Sequence, residues 1–116
     1  MKHSIGISLP AATNTTVFTV PLGYVAELTY LYIYNDTGST KTVTAYWQHA
    51  HNPAHQIKLL SGVSVTSKAT VQFSDLSIIF NQGDILVVNP ETGADMSVIV
   101  TFDLRKEIFP LTFDGE

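Results

Sequence analysis

The sequence predicts an all-β protein, an antiparallel β-sandwich of jelly-roll type, and three observations carry that prediction. Short runs rich in Val, Ile, Thr, Tyr and Phe recur along the chain, each bounded by Gly, Pro, Asn or Asp. No window holds a sustained helical period with caps, so little helix is expected. Charged residues make up 14% of the chain and hydrophobic ones 45%, where an ordinary soluble domain carries roughly 25% charge. Much of the surface must therefore be Thr, Ser, Asn and Gln, or be covered by another copy.

Taken in order, the first strands fall at 5–9 and 15–20, and Pro21-Leu22-Gly23 turns the chain into the longest strand, 25–34. Strict alternation places Ala26, Leu28, Tyr30, Tyr32 and Tyr34 on one face and Val25, Glu27, Thr29, Leu31 and Ile33 on the other. Both faces are partly apolar, as in a strand covered on two sides. Asn35-Asp36-Thr37-Gly38-Ser39 has the content of a hairpin loop, so 42–48 is expected to pair back on 25–34. Further strands are predicted at 56–60, 63–67, 69–73, 77–80, 85–89 and 97–104. In the last of these regions Met96, Val98, Val100, Phe102 and Leu104 alternate with Ser97, Thr101, Asp103 and Arg105. Many short strands at such spacing imply two packed sheets.

With 116 residues and no internal stretch of linker composition, the chain reads as one domain, with an N-terminal arm (about 1–13) and a C-terminal tail (about 108–116). The tail carries Ile108, Phe109, Leu111 and Phe113, where a solvated tail would be polar. It either folds over its own sheet or crosses to another subunit by strand addition. No cysteine is present, which excludes disulfides and thiolate metal sites and fits a reducing cytoplasm. No secretion signal is read at the N-terminus, and no apolar run is long enough to cross a membrane. Net charge is −4 and the six basic residues are scattered, which argues against nucleic acid as a partner.

One cluster has chemical potential: Trp47-Gln48-His49-Ala50-His51-Asn52-Pro53-Ala54-His55. On a strand His49 and His51 would project from one face and could share a metal ion, with His55 as a third nitrogen. They equally extend the aromatic ridge begun by Trp47. The pair resembles the His-x-His of the cupin family, which would imply a metal protein using His49, His51 and His55; the glycine that family has upstream is Val43 here. Gln82-Gly83-Asp84 and Pro90-Glu91-Thr92-Gly93 resemble the second cupin motif without its histidine. There is no Gly-x-Ser-x-Gly elbow and no phosphate-cradling loop. The spacing of Asp36, Asp75, Asp84, Asp95 and Asp103 leaves a carboxylate pair open, although Asp is common in turns. Tyr24, Tyr30, Tyr32, Tyr34, Tyr46 and Trp47 could stack on sugars, as in a carbohydrate- or receptor-binding module, or simply pack.

Thr19-Val20-Pro21-Leu22-Gly23-Tyr24-Val25-Ala26, Leu31-Tyr32-Ile33-Tyr34-Asn35-Asp36-Thr37-Gly38 and Phe80-Asn81-Gln82-Gly83-Asp84-Ile85-Leu86 together resemble the small β-sandwich virion proteins of tailed bacteriophages. The resemblance covers roughly 15–104. It implies a non-enzymatic structural role, without cofactor, as a capsid decoration (cement) or head-tail accessory subunit assembled in the host cytoplasm. Its partners would be the major capsid protein and further copies of itself, as a trimer on a threefold axis. Interface residues are then expected at Tyr30, Tyr32, Tyr34, Ile108, Phe109, Leu111 and Phe113.

Overall fold

A computed structural model describes residues 1–50 and 52–106. Nine strands and no helix occur among them: β1 (Lys2–Leu9), β2 (Thr15–Thr19), β3 (Tyr24–Asn35), β4 (Lys41–His49), β5 (Asn52–Val65), β6 (Ala69–Phe73), β7 (Ile78–Phe80), β8 (Ile85–Pro90) and β9 (Met96–Lys106). They form two sheets of the expected antiparallel β-sandwich. The first has the order β1-β9-β3-β6, with β7 following β6 along the same edge of β3; the second has the order β2-β8-β4-β5. Every link except β4–β5 and β6–β7 carries the chain from one sheet to the other. That wrapping, with β6 and β7 as one interrupted strand, is the jelly-roll order. The first residues, expected as an arm, include β1, which pairs along its whole length with β9.

The core is the inner face of both sheets. Met96, Val98, Val100 and Phe102 of β9 are buried, as their alternation predicts. From the other sheet Phe18 stacks on Phe102 with ring centroids 3.6 Å apart. Complete burial of side chains such as Phe80, Phe102 and Ile33 contributes about 1.5–3 kcal/mol each before ordering costs.

Three expectations about local structure are corrected. Residues 35–39 do not form a hairpin, and β4 pairs with β5 and β8 instead of β3. Both sides of β3 are already taken, by β9 on one and by β6 and β7 on the other, so the chain must leave that sheet. Asn35 directs the exit. Fully buried, its Nδ2 donates to Ser39 O and Val65 O at 2.9 Å, and its Oδ1 accepts from Thr37 N at 2.8 Å.

The second correction concerns the faces of β3. Leu28 pairs with Phe102 while Tyr30 pairs with Thr101, leaving Thr29 as an extra residue in a bulge. Inward positions are therefore Ala26, Leu28, Leu31, Ile33 and Asn35, and Tyr30, Tyr32 and Tyr34 face outward with Glu27. The bulge is tied down on both sides: Thr29 Oγ1 donates to Thr101 O, and Leu76 N donates to Thr29 O. Third, the strands expected at 56–60 and 63–67 are one continuous β5, in which Gly62 takes a positive φ of 59° at an irregularity and donates to Thr44 Oγ1.

At the opposite end from Asn35, Asp84 is 2% exposed and accepts three hydrogen bonds. Its Oδ1 takes Ala50 N at 3.0 Å, and its Oδ2 takes Trp47 Nε1 at 3.1 Å and Asn81 N at 2.9 Å. Its backbone oxygen accepts from Val20 N, and Gly83 N donates to Val20 O. Gly83 has φ 84°, and a Cβ there would lie 2.8 Å from Ala50 Cβ, so only glycine fits the turn. Replacing Asp84 by Ala leaves three donors without an acceptor. We expect Asp84→Ala to cost at least about 3 kcal/mol in urea unfolding, far more than Asp36→Ala at an exposed carboxylate; near-equal costs would refute the role given to Asp84.

Candidate functional site

The histidine cluster lies where β4 gives way to β5. Trp47 sits on the inner parity of β4 with Val43 and Ala45, half-buried at the end of the core and held by Asp84. His49 and His55 meet it edge-on, with centroids 5.8 and 6.1 Å from its ring. Between themselves the two imidazoles are 6.0 Å apart and only 13° from parallel. The two rings thus lie nearly parallel beside the indole and extend the aromatic ridge that begins at Trp47. His51 lies outside the described residues, and among the described residues no group of three His, Cys, Asp or Glu side chains is placed to hold a metal.

A broader feature is the outer face of the first sheet. Strand register arranges it in rows: Ser4, Thr101 and Tyr30; then Gly6, Ile99, Tyr32 and Gln72; then Ser8, Ser97, Tyr34 and Thr70. None of these positions carries a charge. The tyrosines are half-buried and Ile99 is 41% exposed, so an aromatic and apolar strip runs down the middle of the face. Hydroxyls fix its borders, with Tyr30 Oη donating to Gln72 Oε1 at 3.0 Å and Ser4 Oγ lying 2.9 Å from Thr101 Oγ1.

Charge is confined to the two ends of this face. At one end Lys2, Asp103 and Glu27 occupy the next row, and Arg105 Nη2 lies 3.9 Å from Glu27 Oε1. At the other end Lys68 Nζ contacts Asp36 Oδ1 at 2.8 Å, and Tyr34 Oη donates to the same carboxylate at 3.1 Å. The hydrogen bonds from Lys68 and Tyr34 hold the Asp36 carboxyl below its ordinary range. Asp36 in turn raises Lys68, while Tyr34 is raised first by partial burial and then by its bond to Asp36.

A third feature is an apolar cleft of about 240 Å³ between β5 and the β6–β7 edge, lined by Leu28, Leu31, Leu59, Leu60, Phe73, Leu76 and Ile78. Of the residues expected at interfaces, Tyr30, Tyr32 and Tyr34 stand together on one outer face. Ile108, Phe109, Leu111 and Phe113 lie outside the described residues. Ile99 and the cleft were not singled out from sequence; Asn35 was read only as part of a hairpin loop, and Asp84 only as one of several carboxylates of the kind common in turns. The alternation along 96–104 was the signal that could have placed Ile99 on the outer face.

No protein-family model matches the chain, and no curated protein matches it. Solved structures with a similar fold exist. A protein of the disulfide-linked pili of Bacillus endospore appendages is 15% identical, with a TM-score of 0.53 over 93% of this chain and 88% of that one. This chain has no cysteine, so that linkage is not shared. A chain of the cyanophage Pam1 capsid asymmetric unit is 17% identical, with a TM-score of 0.50 over 88% and 82% of the two chains. The nucleoplasmin-like N-terminal domain of Drosophila FKBP39 is 12% identical, with a TM-score of 0.50 over 97% and 96%. At such identities the likeness establishes the sandwich fold alone.

Two measurements follow from this geometry. Elemental analysis of the purified protein is expected to find no stoichiometric zinc, iron or manganese; one ion per chain, lost in His49→Ala, would make the cluster a metal site. Acid should weaken the fold through carboxylates that the folded state keeps ionised. Asp36 and Glu91 both have lowered pKa values, Glu91 through the Thr42 N–H that donates to it at 2.6 Å. Their contribution is complete above the ordinary carboxylate range and is lost as pH falls through their lowered values. The thermal midpoint should hold from pH 7 to about 5 and drop below about pH 4, with a shallower drop in Asp36→Asn.

Proposed function

We propose that this chain is a non-enzymatic structural subunit of a tailed-bacteriophage virion, a capsid decoration (cement) protein acting as a homotrimer against the major capsid protein. The observation that carries this reading is the outer face of the first sheet. Its uncharged centre of tyrosines and Ile99, bordered by Lys2, Asp103, Glu27 and Arg105 at one end and by Asp36 and Lys68 at the other, has the anatomy of a protein interface. Charge is depleted where contact would exclude water and kept where water remains. Such a face does not neutralise phosphates, which speaks against nucleic acid.

Further support comes from the turn and strand motifs that resemble phage virion proteins, and from a fold shared with subunits of a phage capsid and of pili. A cement subunit needs no deep catalytic cleft. It needs flat, repeated contact surfaces, whose modest individual energies multiply through symmetry. The same tyrosine row favours a second reading, a saccharide-stacking platform, which would bind sugar as a monomer and lose it in Tyr32→Ala.

Light scattering of the full chain at micromolar concentration is the test. A trimer is expected, and a monomer overturns the reading. Placing a charge in the centre of the face with Tyr32→Lys should raise the subunit dissociation constant at least about tenfold, roughly 1.4 kcal/mol, with the β-sheet circular dichroism unchanged.

A further inference from the structure

We propose that the apolar cleft between β5 and the β6–β7 edge receives residues 109–113 of a second copy of this chain, laid in as an extended strand with Phe109, Leu111 and Phe113 facing inward. This docking presupposes the oligomeric structural subunit proposed above and names one of its contacts.

The cleft is built to accept a strand. Among the described residues β5 pairs only with β4, and β6 and β7 pair only with β3. Both sheets therefore end in edge strands on this side, and an unpaired edge is a template for one more strand. Between the edges the walls are apolar, with Leu59 and Leu60 from one sheet facing Phe73, Leu76 and Ile78 from the other. Since an apolar cavity of roughly 150 Å³ holds a benzene ring, the 240 Å³ here takes one aromatic side chain and part of another.

The sequence supplies a matching segment. Phe109, Leu111 and Phe113 alternate with Pro110, Thr112 and Asp114, a period of two with one large apolar face. Pro110 lacks an N–H, which an edge strand tolerates when that position faces away from its partner.

Reach decides between the chain's own cleft and a neighbour's. β9 ends at Lys106 opposite Tyr24, running away from Leu28 and Leu31 in the cleft. To return, the chain must cover four residues of β3 and two strand spacings, about 13 Å along and 10 Å across. At about 3.3 Å per residue, with a reversal included, that consumes 107–111 or more and leaves only Phe113 to enter. All three apolar side chains can be delivered together only to another copy.

The chain has no cysteine, so introduced thiols report the contact without background. Full-length Leu111→Cys and Leu60→Cys variants, one carrying a mass tag, are co-expressed and oxidised. A mixed disulfide joining one of each is expected, since such a bridge forms only when the backbones approach within about 7 Å. If the Leu60→Cys/Leu111→Cys double variant instead gives an internally bridged monomer, the segment occupies its own subunit and the inference fails. It fails equally if no bridge forms in either sample; Leu59→Cys replaces Leu60→Cys should the latter not fold. Light scattering of the unoxidised proteins separates the two levels: an oligomer without the mixed bridge sinks only the tail contact, whereas a monomer sinks the structural-subunit reading as well.

Discussion

A carboxylate withdrawn from water must find its hydrogen bonds inside the protein, and Asp84 finds them in its own turn and at the end of β4. The indole of Trp47 and the backbone of Ala50 belong to the end of β4, Asn81 belongs to the turn before β8, and Val20 leads from β2 into β3. The end of β4, the turn before β8 and the chain after β2 are thus joined at one residue, the first two through its carboxylate and the third through its backbone oxygen. Desolvating a charge is costly, and the cost is tolerable because each oxygen is engaged by N–H donors that would otherwise be orphaned. Asn35 does the same at the other end for the β3–β4 link and the end of β5. Between these two polar anchors the core needs only to be apolar and well filled.

Much of the fold was legible because alternation is a local property. Met96, Val98, Val100 and Phe102 announce a buried face without reference to any partner, and the absence of helical periods fixes the class. The pattern misled wherever one residue broke the count. Thr29 looks like an ordinary strand residue, yet its bulge exchanges the faces of everything after it, moving Leu31 inward and the tyrosines outward. The hairpin at 35–39 failed for another reason. Its composition was that of a turn, but which strand comes next in space depends on the occupied flanks of β3, a fact no window of sequence contains.

The outer face was half legible. Tyr30, Tyr32 and Tyr34 were expected at an interface, and they do share a surface, but with Glu27 and Thr101 in place of Ala26 and Leu28 as companions. The difference matters physically. Had simple alternation held, the rings would have shared the apolar side of the strand and filled the core; the inserted residue turns them to solvent and brings Leu31 and Ile33 inside instead. Asp84 was read as a turn residue, which is correct for its backbone, and its burial is invisible until the indole and the turn are brought together.

Interleaved strand order also sets a timetable. β9 fills the middle of the first sheet between β1 and β3, joining Lys2 to Asp103 and Tyr24 to Lys106. Until β9 has left the ribosome, β1 lacks its hydrogen-bonded partner, the outer face has no Ile99, and Phe18 lacks its stacking partner. Contacts between such distant segments make folding slow, and the two halves of the unfinished sheet wait with open edges. The strip of tyrosines and Ile99 on the outer face is thus the last part of the described sheet to be assembled, because Ile99 enters it only with β9.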